Sequence, residues 1–167
     1  MLSPKLILSP IDFSEPSQDA LATAADFASR FDAELLLVHA APAIPRLRSS
    51  SDFFHEAEYE TELHKEAELR LKQMTEDLVQ KGVRARWQLG IANDTGMEIL
   101  RIAEENHADL IVIATHGMTG WRRLQFGSVA EKVVRLASGP VLVLRSEASA
   151  GQNSNSQTSG SAAAAGR

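Results

Sequence analysis

The sequence contains no cysteine among its 167 residues. Disulfide scaffolds, thiolate zinc sites and thiol nucleophiles are therefore excluded. The longest apolar runs, residues 35–38 and 110–114, are far shorter than the roughly 20 residues that a membrane-spanning helix needs. Residues 1–10 lack the apolar segment and the cleavage site of a signal peptide. We therefore expect a cytoplasmic protein with no membrane partner.

Positive charge is scarce relative to negative charge, with 17 Lys and Arg residues against 22 Asp and Glu residues and a formal net charge of -5. Because a protein that coats nucleic acid neutralises phosphates with basic side chains, this balance argues against a nucleic-acid partner. Hydrophobic residues make up 44% of the chain, which is typical of a globular protein with one core. We expect a single domain over residues 1–145. Residues 146–167 contain no Leu, Ile, Val or aromatic side chain, and we predict that this tail is disordered.

Short apolar runs alternate with longer amphipathic segments along the chain. Four of these runs are nearly all apolar, which is typical of strands buried on both faces of a parallel sheet. They span residues 6–8, 35–38, 110–113 and 141–144. A fifth strand is predicted over residues 83–89, where apolar and polar residues alternate, and its polar face favours a place at the edge of the sheet.

Helical periodicity characterises the segments between the strands. Helices are predicted over residues 16–31, 53–81 and 95–106 and from residue 128 onward. Ser14 is expected to cap the first helix and Gly82 to end the second, and Thr95-x-x-Glu98 has the pattern of a capping box at the start of the third. Residues 40–51 are expected to form a mobile loop. The alternation of strands and helices predicts an α/β fold with an open parallel sheet and helices on both faces.

The segment 114–128 holds the most informative pattern for chemistry. It leaves a buried strand, contains three glycines and the pair Arg122 and Arg123, and enters a helix at Ser128. Glycines such as Gly117 and Gly127 let backbone N–H groups approach an anion closely, and a helix N-terminus offers further N–H donors. The alternative is a glycine-rich surface turn in which Ser128 only caps the helix. The two standard phosphate-binding motifs are not found. G-x-x-x-x-G-K-[ST] does not occur, and no G-x-G-x-x-G follows the first predicted strand.

A second candidate lies at the end of the first strand, at Asp12. In open α/β sheets the ligand crevice lies beyond the carboxyl ends of the strands, and an acidic residue there can bind a ribose or a base edge. The alternative is that Asp12 only shapes the turn into the first helix. The five histidines show no metal-ligand spacing, and no metal site is predicted.

Together the two segments resemble the ATP-binding branch of the universal stress protein (UspA-like) family. The family pattern G-x2-G-x9-G-[ST] is present here as Ala114-x2-Gly117-x9-Gly127-Ser128, with Ala114 in place of the first glycine. The resemblance extends over residues 2–145. It implies a Rossmann-like five-stranded parallel sheet of order 3-2-1-4-5, as in adenine nucleotide alpha hydrolase-like folds, which places Asp12 beside the loop after the fourth strand.

The resemblance also implies an adenine nucleotide as ligand: ATP, ADP or AMP, with Mg²⁺ carried by its phosphates. The adenine and ribose would lie near Pro10, Asp12, Val38 and Ile113, and the phosphates along Gly117, Gly127, Ser128 and Val129. His116 could touch a phosphate, and Ala114 stands at the first glycine position. The implied binding residues are Pro10, Asp12, Val38, Ile113, Ala114, His116, Gly117, Gly127, Ser128 and Val129.

The resemblance favours a nucleotide-binding regulatory protein of the stress response that hydrolyses ATP slowly if at all, acting on an unknown protein partner. No catalytic residue is predicted. One alternative is an ATP-using enzyme, an ATPase or an adenylyl transferase, for which Arg122, Arg123 and Asp12 are the only candidate groups. Another is a dimeric interaction module that binds no nucleotide. A homodimer is expected through Val141–Leu144, because an apolar edge strand must be covered or paired.

Overall fold

The computed structural model describes residues 3–43, 53–115 and 127–145, with the backbone alone for residues 53–60. The predicted tail, most of the predicted loop 40–51, and His116, Gly117, Arg122 and Arg123 lie outside the described residues. The disordered tail and the single domain over residues 1–145 stay predictions. Within the described ranges, no helix combines the length and the apolar character needed to cross a membrane.

In the described ranges, five strands and four helices alternate strictly. In chain order they are β1 (Leu6–Pro10), α1 (Glu15–Phe31), β2 (Glu34–Pro42), α2 (Phe53–Gln80), β3 (Ala85–Ala92), α3 (Thr95–Glu105), β4 (Leu110–Ala114), α4 (Ser128–Leu136) and β5 (Val141–Leu144). All neighbouring strands are parallel, and the sheet order is β3-β2-β1-β4-β5. The predicted fold class and strand order are confirmed.

The sheet separates two hydrophobic cores. Alternate residues of each central strand enter opposite cores, so Ile7 and Leu35 pack under α1 and α2 while Leu8 and Leu36 pack under α3 and α4. All four of these side chains are fully buried. This arrangement explains the nearly continuous apolar runs, because a strand covered by helices on both sides has no solvent face. The alternating strand β3 lies at an edge, as predicted.

The observed helix ends confirm some of the predicted capping residues and contradict one. The Ser14 side chain caps α1 by accepting a hydrogen bond from the Ser17 N–H, and Gly82 follows α2 with a φ of 85°. The capping box predicted at Thr95 is wrong, because Asp94 caps α3 and accepts a hydrogen bond from the Met97 N–H. An Asp one residue earlier satisfies the same unpaired N–H groups, which leaves Thr95 as the first helical residue.

The predicted start of the loop 40–51 is wrong, because residues 40–42 belong to strand β2. Strand β2 continues to Pro42, and the extension is paired along its length with β3, where Ala40 lies opposite Gly90 and Pro42 opposite Ala92. A proline is tolerated there because position 42, like Val38, faces the β1 side, where β1 has already ended and no N–H is needed. The extension matters for function because it carries β2 beyond Pro10, the last residue of β1.

Strand β3 approaches α3 closely at Gly90. A Cβ atom at Gly90 would lie 2.6 Å from Oε1 of Glu98 and 2.9 Å from Cδ1 of Ile102. Neither neighbour can move easily, since both are buried and the Glu98 carboxylate accepts two hydrogen bonds from the Arg101 guanidinium, at 2.6 and 2.8 Å. The same ion pair holds the pKa of Glu98 below its ordinary value.

We predict that Gly90→Ala lowers the free energy of unfolding by about 1–3 kcal/mol, because the methyl group overpacks a rigid contact. The matched control is Gly139→Ala, since a Cβ at Gly139 would meet nothing within 4 Å. Urea unfolding of the two variants and the wild type measures the difference. Equal stability of Gly90→Ala and the wild type would show that α3 can move away from β3.

Candidate functional site

A crevice opens where β1 ends between two neighbours, β2 and β4, that extend further toward the carboxyl end of the sheet. Leu8 is the last β1 residue in register with β4, opposite Ile111. Because Lys5 and Ile11 hydrogen-bond to β2, the even-numbered residues of β1 face β4, and the next of these is Pro10. Proline has no N–H to donate, so the β1–β4 ladder stops while β4 continues beside β5. This is the point at which the strand order reverses, where ligands bind in open α/β sheets.

The crevice collects every predicted binding residue that the structure describes. These residues come from the ends of β1, β2 and β4 and from the start of α4. They are Pro10, Asp12, Val38, Ile113, Ala114, Gly127, Ser128 and Val129. The other two predicted residues, His116 and Gly117, lie outside the described residues.

The crevice also has lining residues that sequence reasoning missed. They come from the extension of β2, from the first turns of α1 and α3, and from positions next to predicted ones. They are Ile11, Ser17, His39, Ala40, Thr95, Ile99, Thr115 and Ala130. The i, i+4 spacing of Thr95 and Ile99 puts both on one face of α3, but the sequence does not show that this face turns toward β2.

Ala40 presents backbone rather than side-chain chemistry to the crevice. In β2, Glu34 and Val38 hydrogen-bond to the β1 side, whereas Leu35 hydrogen-bonds to the β3 side. Ala40 therefore faces the β1 side, but β1 has already ended at Pro10, which lies opposite Val38. The Ala40 N–H and C=O groups thus form a short donor–acceptor edge with no β1 strand residue opposite.

The start of α4 supplies N–H donors, although not from the residue that the glycine pattern suggests. The Gly127 N–H donates to the Thr115 C=O at 2.7 Å, so it is not available to a phosphate. The first helical hydrogen bond runs from the Glu131 N–H to the Gly127 C=O. The N–H groups of residues 128–130 therefore have no acceptor within the helix and form its anion-attracting end.

The structure gives the local roles of Gly127 and Ser128 at the start of α4. Gly127 is the N-cap of α4 with a φ of -61°, a conformation open to any residue, so only close approach of a ligand would require glycine there. No side chain caps the helix. The alternative in which Ser128 serves as the N-cap is wrong, because Ser128 is already the first helical residue.

Asp12 has the structural role that was left open as an alternative. Its Oδ1 accepts hydrogen bonds from both the N–H and the hydroxyl of Ser14, the residue that caps α1. Asp12 also lines the crevice. These contacts fix the carboxylate at the crevice wall, so the turn-forming role and a ligand-binding role are compatible.

A salt bridge holds the α3 wall of the crevice against α4. The Asp94 carboxylate accepts a hydrogen bond from the Lys132 ammonium, and this contact lowers the pKa of Asp94. Gly96 allows the contact, since a Cβ there would lie 2.9 Å from the Lys132 side chain. Among the crevice-lining residues that the structure describes, Asp12 and His39 are the only ionisable ones.

Comparisons with known proteins give one consistent family. The model described as "Universal stress protein family" matches residues 4–145. Universal stress protein MJ0531 of Methanocaldococcus jannaschii is 34% identical over 143 residues, which cover 84% of this chain and 82% of that protein. The solved structure of MJ0577, from the same organism, is 28% identical with a TM-score of 0.77 and covers 89% of this chain and all of that one.

Two further solved structures are complexes with nucleotides. A universal stress protein in complex with cAMP is 18% identical, with a TM-score of 0.61, and covers 85% of this chain and 97% of that one. The universal stress protein from Archaeoglobus fulgidus in complex with dAMP is 22% identical, with a TM-score of 0.57, and covers 86% of this chain and 98% of that one. At these identities the likeness shows a shared fold.

Proposed function

The chain belongs to the universal stress protein family, and from this premise we propose that its crevice binds an adenine nucleotide and that the protein acts as a nucleotide-dependent regulator in the stress response. One observation carries the proposal. The fold brings four features into a single crevice: the apolar side chains of Val38, Ile99 and Ile113, the Ala40 donor–acceptor edge, the Asp12 carboxylate and the N-terminus of α4. The fold of two nucleotide-bound family members, with cAMP and with dAMP, supports it.

The base would occupy the apolar part of the crevice. Val38, Ile99 and Ile113 supply apolar surface suited to a planar ring, and Ala40 lies at its edge. The Ala40 N–H can donate to the adenine N1 atom while the Ala40 C=O accepts from the 6-amino group. Guanine presents the reverse pattern, with a donor at N1 and an acceptor at O6. The Ala40 backbone groups would therefore favour adenine over guanine.

The ribose and the phosphates would bind at the polar end. Asp12 can accept hydrogen bonds from ribose hydroxyls, and the free N–H groups of residues 128–130 face the same crevice as a receptor for phosphate. Mg²⁺ usually keeps several waters and few protein ligands, so it would be carried with the phosphates. Within the described ranges, no group of three or more His, Asp or Glu side chains is placed to hold a metal by itself.

We predict that nucleotide-free protein binds ATP at least tenfold more tightly than GTP. With guanine, the Ala40 N–H donor would face the guanine N1–H, which is also a donor, and the Ala40 C=O would face O6, which is also an acceptor. An unpaired buried polar group costs on the order of 1–3 kcal/mol. Isothermal titration calorimetry with each nucleotide measures the ratio. Equal affinities for ATP and GTP would show that Ala40 does not discriminate between adenine and guanine.

We predict that Gly127→Val weakens ATP binding tenfold or more. Valine can adopt the observed backbone conformation, so the fold should persist, but its branched side chain would stand where a phosphate approaches the N–H groups of residues 128–130. Losing an oriented contact to a charged group costs on the order of 1.5–3 kcal/mol, to which steric exclusion adds. Calorimetry measures the affinity, and circular dichroism checks the fold.

Ser128→Ala is the matched control for this experiment. It removes a hydroxyl from the same helix end but keeps the backbone donors, so it should weaken ATP binding less than Gly127→Val. Its stability should equal that of the wild type, because no cap is lost. Wild-type affinity in folded Gly127→Val would contradict the site. A wild-type protein that binds no ATP would instead favour the nucleotide-free interaction module.

We also propose that the protein is a homodimer that pairs through Val141–Leu144. In the described residues, β5 pairs only with β4, and all four of its apolar side chains are only partly buried. Val134 and Leu136 of α4, the helix before β5, are exposed by 44% and 48%. An apolar edge of this kind needs a cover, and a second copy supplies one across a two-fold axis.

Val143→Lys should raise the monomer fraction, because it places a charge in the proposed interface. The control is Val79→Lys, which changes an apolar side chain that is 52% exposed on α2, a helix that packs on β2 and β3 at the other side of the sheet. Sedimentation at micromolar concentration distinguishes the variants. A wild-type protein that sediments as a monomer under these conditions would overturn the proposed dimer.

A further inference from the structure

Phe13 has an unfavourable backbone conformation at the edge of the crevice. It lies between Asp12, which lines the crevice, and Ser14, which caps α1, and its φ is 65°. Bulky residues avoid this left-handed region because the Cβ atom approaches the following backbone too closely. Such a conformation persists only where surrounding contacts hold it.

Two side chains from other elements hold the Phe13 ring. The His39 ring of β2 lies 4.6 Å away between centroids, and the Arg70 guanidinium of α2 lies 4.1 Å from the Phe13 ring centroid. His39 is itself fixed, since its Nδ1 lies 2.7 Å from the Ile11 C=O. Because a carbonyl can only accept, Nδ1 must be the protonated nitrogen. Phe13 is thus held by both the sheet and α2.

We propose that Arg70 and Phe13 are positioning residues for Asp12, so that the packing of α2 sets the ribose end of the crevice. Neither is among the residues that line the crevice. The two hydrogen bonds from Ser14 to Asp12 span Phe13, so a change in the Phe13 backbone would move the carboxylate. The ribose part of this inference rests on the proposed function, whereas the effect on the turn does not.

Arg70 is suited to this role because its charge is not strongly engaged elsewhere in the described residues. Among the described side chains it forms an ion pair with Glu66, at 4.0 Å and with both side chains more than half exposed. Such a pair contributes little, whereas a guanidinium over an aromatic face is attracted by the ring. Removing the charge therefore acts mainly on the Phe13 contact.

The experiment compares Arg70→Met with Lys72→Met. Lys72 lies on the same helix with 63% side-chain exposure and a comparable i, i+4 partner, Glu76 at 3.9 Å. In nucleotide-free protein, Arg70→Met should speed hydrogen exchange at the Ser14 N–H, whereas Lys72→Met should not. Arg70→Lys, which keeps a cation, should restore part of the protection. Exchange that is unchanged in Arg70→Met would overturn the inference, whether or not the protein binds nucleotide.

Nucleotide binding provides the second readout. Arg70→Met should weaken ATP binding about two- to fivefold and bring the ATP and 2′-deoxy-ATP affinities closer together, because a displaced Asp12 no longer favours the 2′-hydroxyl. Uniform weakening of both nucleotides would point to a general structural effect and overturn the positioning role. A wild type that binds neither nucleotide would refute the proposed function alone, and the exchange experiment would still decide the role of Arg70.

Discussion

The crevice depends on the point at which the central strand stops. Pro10 has no N–H for β4, so the β1–β4 ladder ends while β2 and β4 continue on either side. A longer β1 would fill the gap and pair with Ala40. The same interruption leaves the Ala40 backbone groups without a β1 strand residue opposite, at the carboxyl end of the sheet where the order of the strands reverses. The geometry of the crevice is therefore a consequence of where β1 ends, which the missing N–H of Pro10 determines.

The electrostatics of the crevice follow from backbone dipoles more than from side-chain charges. The described lining residues include the Asp12 carboxylate and no Lys or Arg, and the nearby Lys132 is engaged by Asp94. The N-terminus of α4 is therefore the main described group that can attract an anion. Asp12 lies on the β1 side, where it would repel a phosphate but accept from a hydroxyl. In the proposed complex, this separation would orient the nucleotide along the crevice.

Much of the fold could be predicted because burial on both faces makes a strand continuously apolar, as in residues 35–38. The extension of β2 to Pro42 was missed because its pairing with β3 depends on register, which local composition does not report. The capping box at Thr95 failed because Asp94 competes for the same N–H groups, while Glu98 turns inward to Arg101. The family resemblance implied eight described residues that line the crevice, but Ala40 and Thr95 enter it only through strand register and helix crossing.

A chain of backbone hydrogen bonds joins the edge of the sheet to the proposed phosphate site. The Thr115 N–H donates to the Leu144 C=O of β5, and the Thr115 C=O accepts from the Gly127 N–H, which precedes α4. Both bonds are short, at 2.8 and 2.7 Å. A shift of β5 must therefore either break these bonds or move the first turn of α4. If β5 pairs with a second copy, dimer formation and ligand binding act on the same few residues, and any effect of one on the free energy of the other is reciprocal.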